Sequence, residues 1–105
     1  MGPLIQLKDL DFLLYQVFNA EQLTEFPRYQ DHDRSSFNSI LDTAHGIALD
    51  FFAPHNAKAD HHEPTFDGKK VTTIDEVKIA WKQFADAGLL CAQHDYADGG
   101  MQLPT

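Results

Sequence analysis

The chain has 105 residues, 43% of them apolar, with eight basic side chains against sixteen acidic ones and a formal charge of −8. That length suits one domain around a single core, and the apolar share is too high for a disordered chain. The negative balance argues against a nucleic-acid backbone or an anionic membrane surface as partner, because either needs a basic face. Cys91 is the single cysteine, so no internal disulfide forms within the chain. Its neighbours Leu89, Leu90 and Ala92 predict a buried, inert thiol. No run of apolar residues approaches the length of a membrane span, and "MGPLIQLKDL" lacks the basic start and long apolar stretch of a secretory signal. Gln6 stands where N-myristoylation needs Ser or Thr. These features lead to the expectation of a cytoplasmic protein without a membrane span.

In chain order, helix signals dominate. In "KDLDFLLYQVFN" the residues Leu10, Leu13, Leu14, Val17 and Phe18 fall at i, i+3, i+4, i+7 and i+8, predicting one buried helix face. Asn19 is expected to stop that helix and cap a short successor, "AEQLTEF", with Gln22 completing the capping box and Pro27 ending it. A long middle helix follows, with Asp33 as its N-cap. Phe37, Ile40, Leu41, Ala44, Ile47, Ala48, Phe51 and Phe52 span an arc of about 140°, wider than a one-sided stripe. Pro54 should kink the helix between Gly46 and Asp50 or end it, and "HNAKADHHE" has the composition to continue to Asp60.

"PTFDGKKVTT" reads as a loop with a turn at Asp67-Gly68 and a little extended structure. Thr73 to Glu76 predicts a capping box that opens the last long helix. Its expected core face is Ile74, Val77, Trp81, Phe84 and Ala85, with Ile79 pointing away and Gly88 as the left-handed stop. The fold class predicted is therefore all-α: a small bundle of about three long helices and one short one, forming a single domain over 1–105.

The six histidines suggest chemistry that their spacing does not support. His61 and His62 are adjacent and so point about 100° apart on a helix, and no HExxH pair occurs. His55 and His62 share a face without a third ligand. A solvated polar helix end is the expected role of "ADHHEP", and His45 is expected to be a satisfied, partly buried residue. The carboxylate pairs Asp9 with Asp11 and Asp75 with Glu76 lie near helix starts, where the macrodipole favours negative charge. Neither a Gly-rich phosphate loop nor a Ser-His-Asp arrangement stands out. No catalytic and no metal-binding residues are assigned to this chain.

The order of short motifs carries more information than any one of them. "PLIQLKDLDFLLYQVFNAEQL" is followed by "FFAPHNAKADHHEP", then "DGKKV", then "AWKQFADAGLL", and last "DYADGGMQLPT". This succession resembles the N-terminal helical domain of acyl-CoA dehydrogenases, in the branch with an extra N-terminal segment. Residues 1–30 would be that extension and 31–105 the N-terminal domain. The last loop departs from the family's "YGGQGLP": Ala97-Asp98 follow Tyr96, and Met101 stands between Gly100 and Gln102.

The resemblance implies a complete enzyme that uses FAD to oxidise the α,β bond of an acyl-CoA thioester, with the flavin site and catalytic glutamate in later domains. This chain would supply helical packing and part of the acyl-pocket wall, with Gly99, Gly100, Met101 and Leu103 as substrate-contacting residues. Expected partners are the remaining domains, the acyl-CoA substrate and further copies of the enzyme. Three other readings remain open from the residues: a free-standing acidic helical interaction module, a separate subunit of a flavoenzyme, and a small His-dependent metalloprotein.

Overall fold

A computed structural model describes residues 5–105. The described residues are mostly helical, with one two-stranded hairpin. No helix among them is long and apolar enough to cross a membrane. They form two compact units: one of residues up to 42 together with 91–105, the other of residues 43–90.

In the first unit, helix α1 (Leu7–Asp11) runs on through π-helical turns over Phe12–Val17. The wider winding changes which residues share a face. Tyr15 is the buried residue, at 7% exposure, with Leu10 and Leu14 half-buried beside it. Leu13, Val17 and Phe18 are exposed, which corrects the stripe predicted from a regular 3.6-residue period. Asn19 does stop the helix, but through its backbone: it adopts φ +50° and makes no side-chain cap bond. The capping box with Gln22 is absent because the Gln22 N–H donates to the Asn19 carbonyl instead.

Two 3-10 turns follow, Ala20–Glu25 and Pro27–Tyr29. Helix α2 (Arg34–Ile47) then opens as its sequence predicts, the Asp33 carboxylate accepting from the Ser36 N–H at 2.7 Å. The core of this unit is Tyr15 with Phe37, the latter at 9% exposure.

In the second unit the helical path persists through Ala48–Phe52 as π-helix and Ala53–His55 as 3-10, then α3 (Asn56–His61). Pro54 removes an amide donor, and the backbone responds by changing its winding over these turns rather than by stopping. Strands β1 (Thr65–Phe66) and β2 (Val71–Thr72) pair antiparallel, with Thr65 opposite Thr72 and Phe66 opposite Val71. The turn between them is held by the Asp67 carboxylate, which accepts from the Lys69 and Lys70 amides at 2.8 and 2.9 Å.

Helix α4 (Asp75–Asp86) ends at Gly88, whose φ of +80° is the left-handed stop expected there. The capping box at its start does not form. Ile74 occupies the cap position without a side-chain bond, and Glu76 turns to Lys58, Nζ to Oε2 2.6 Å. Ala80 is fully buried and Phe84 meets Phe52 edge to face at 6.5 Å. Trp81 is 56% exposed, so its expected place in the core is corrected: the small Ala80 faces inward at the close approach, and Trp81 lies against Phe84 from outside.

Candidate functional site: an apolar cleft

The first unit contains a cleft of about 650 Å³, within the range of small-molecule pockets. One wall comes from α1's extension (Leu14, Tyr15, Phe18), another from the 3-10 turn (Ala20, Leu23, Phe26), and the floor from α2 (Phe37, Ile40, Leu41). Leu103, Pro104 and Thr105 complete it. Its polar margin is Asn19, Gln22 and Thr105, and no charged side chain is among those that line it.

The walls are held in register by polar bonds. Tyr15 donates its hydroxyl to Asn38 Oδ1 at 2.6 Å, and the Arg34 guanidinium lies 4.1 Å over the Tyr15 ring. Burial pushes the Tyr15 phenol above its ordinary value, an effect that the Arg34 charge partly offsets. Arg34 also pairs with Glu21, at 3.4 Å.

The last loop is fixed just as specifically. His32 lies between the Ser36 hydroxyl (Nδ1 to Oγ 2.9 Å) and the Met101 carbonyl (Nε2 to O 2.7 Å). A carbonyl only accepts, so Nε2 carries hydrogen and donates. Arg28 donates to Asp95 at 2.6 Å and to the Gln93 carbonyl, and the Asp95 carboxylate holds the guanidinium in its charged form. Gln102, at φ +49°, accepts from the Tyr96 amide and donates to the Arg28 carbonyl. The Leu103 amide donates to the Ala92 carbonyl at 2.9 Å.

Of the four residues assigned from sequence to substrate contact, the structure places only Leu103 in the cleft wall. Gly99 closes the Tyr96–Asp98 turn in the left-handed region, at φ +84°. Gly100 is pressed against backbone, so a Cβ there would collide with the His94 carbonyl and lie 2.7 Å from the Cys91 oxygen. Met101 contributes its carbonyl to His32. The residues that sequence reasoning missed are those of the cleft wall, Leu14, Phe26 and Ile40 among them. They carried an apolar signal, but no sequence pattern says which apolar residues leave a gap between them.

Other candidate centres are thin. No group of three His, Cys, Asp or Glu side chains among the described residues could hold a metal ion. His45, expected to be satisfied, has a buried Nε2 with no hydrogen-bond partner among the described residues. Cys91 is half-buried rather than buried. The start of α2 is occupied by the Asp33 carboxylate and that of α4 by Asp75 and Glu76, where a pyrophosphate would meet negative charge. No family model matches the chain, and neither a curated protein nor a solved structure does.

Proposed function

We propose that the chain is the N-terminal helical part of an FAD-dependent acyl-CoA dehydrogenase, silent as a catalyst alone and serving as packing and as part of the acyl-pocket wall. The observation that carries this reading is the fixed order of five motifs from "PLIQLKDLDFLL" to "DYADGGMQLP". Their settings support it. "FFAP" lies where helix winding changes, "DGKKV" forms the hairpin turn and second strand, and "AWKQFADAG" runs along α4 to its left-handed Gly88. The flavin and the catalytic carboxylate belong, in this reading, to other parts of the enzyme.

The test is the intact mass of the protein isolated from its native host, with an absorbance spectrum of the same sample. A chain much heavier than 11.9 kDa with flavin absorbance is the expected result. A colourless chain of this mass would overturn it.

A second reading is favoured by Trp81 and Ile79, both more than half exposed on α4. Apolar side chains so placed suit a free-standing helical module whose partner covers that helix. In that case the 105-residue chain melts sharply as a monomer, whereas a fragment self-associates.

A further inference from the structure

We infer that the cleft of the first unit is a binding site for a neutral single-chain amphiphile, an aliphatic tail under a hydroxyl or amide head. The inference goes beyond the dehydrogenase reading and stands independently of it. Three observations carry it.

The first is composition. The walls are aliphatic and aromatic, and no charged side chain lines the cleft, so a charged head drawn into it would lose water without gaining a counter-charge. The nearest cation by contact, Arg34, is already engaged by Glu21 and by the Tyr15 ring. The unit also carries nine acidic side chains against three basic ones, which disfavours an anionic head further.

The second is the polar margin. The side-chain amides of Asn19 and Gln22 border the cleft and have no hydrogen-bond partner among the described residues. An amide offers both donor and acceptor, matching a hydroxyl or an amide head. The Tyr15 hydroxyl is taken by Asn38, so the side-chain hydrogen-bonding capacity left at the cleft is that of Asn19, Gln22 and Thr105.

The third is backbone conformation. Asn19 and Gln102 are the only non-glycine residues with positive φ among the described residues. Asn19 borders the cleft, and Gln102 directly precedes its wall residue Leu103. Asn tolerates the left-handed region better than most residues and at Asn19 it also ends the first helix, so the two positions fix the backbone at the border of the cleft and just before its wall residue.

The experiment titrates the full 105-residue chain with monodecanoylglycerol and, separately, decanoate, which share a tail and differ in head charge, both below their micellar concentrations. Methyl NMR signals of Leu14, Ile40 and Leu103 are followed. Expected are saturable one-to-one shifts at these methyls with the neutral ligand, and binding at least tenfold weaker for decanoate. Asn19→Gly keeps the positive φ while removing the amide, and should weaken the neutral ligand roughly fivefold with the melting temperature held. Ala20→Phe fills the cleft and should abolish the shifts.

Absence of saturation by the neutral ligand up to its micellar concentration would overturn the inference. So would equal affinity for decanoate, shifts centred on Ile79 of the second unit, or an Asn19→Gly chain that binds as tightly as the parent. None of these outcomes depends on a flavin spectrum, so failure here and failure of the dehydrogenase reading are separately visible.

Discussion

The two units are held by different kinds of contact. In the first, Arg28 with Asp95, His32 with Met101 and Gln102 with Arg28 join residues 67 to 74 positions apart. In the second, the pairs span shorter stretches of chain, with Lys58 meeting Glu76 and Phe52 meeting Phe84. Closing a long loop costs entropy before any contact rewards it, so the first unit adds a few long-range polar bonds to its Tyr15–Phe37 core, whereas the second rests on sequential helices. Long-range order in the first unit comes from directional polar bonds to the Asp95 carboxylate and to the Met101 and Arg28 carbonyls, whereas the second unit relies more on aromatic packing that tolerates adjustment.

The largest test of this contrast is Phe37→Ala. Removing a buried ring should lower stability by about 3 kcal/mol. Amide exchange should accelerate throughout the first unit and leave α4 protected; equal acceleration in both would erase the distinction between them. Gly100→Ala should follow at about 2 kcal/mol, since its Cβ would meet backbone, which cannot swing aside. A denaturant midpoint unchanged by this variant would show the loop to be looser than described.

Smaller still is Gln102→Ala, which removes two hydrogen bonds that tie the loop. It should cost about 1 kcal/mol and expose the Leu103 amide to exchange.

The smallest effect sharpens the second unit. The Lys58 ammonium beside Glu76 holds its carboxyl below the ordinary value of 4.5. A depressed folded-state value means the pair stabilises above pH 4.5, and this contribution fades as the pH falls through the lower folded value. Melting temperatures of the parent chain and Glu76→Gln should therefore converge on acidification below 4.5, the difference at neutral pH being slight for so exposed a pair.

Much of the local structure was legible in the sequence. Asp33 announced the start of α2, Gly88 the end of α4, and Pro54 the altered winding between them, because each acts on backbone within a turn or so of itself. Side-chain partnerships were less legible. Glu76 satisfies a capping-box pattern, yet a lysine eighteen residues earlier takes its carboxylate. Trp81 fits the helical period of a core residue, but Ala80 occupies the closest approach, and one residue of rotation exchanged a large inward side chain for a small one. The candidate site was the least legible part. The glycine loop identified Leu103 alone, since a cleft is defined by space left between segments that no local pattern relates.

The hairpin turn bears on how this chain ages. Among aspartyl sequences Asp-Gly is the most prone to isoaspartate formation, in which the Gly68 nitrogen would attack the Asp67 side-chain carbon. That attack requires a protonated, electrophilic carboxyl. Here the Lys69 and Lys70 amides hold the Asp67 group ionised, with its pKa below the usual carboxylate value, and anchor the oxygen they share. The folded chain should therefore accumulate isoaspartate at residue 67 more slowly than the same sequence in an unfolded peptide, and peptide mapping after prolonged incubation would read the difference directly. The two amides that shape a tight turn would then also slow the rearrangement of the Asp67-Gly68 link.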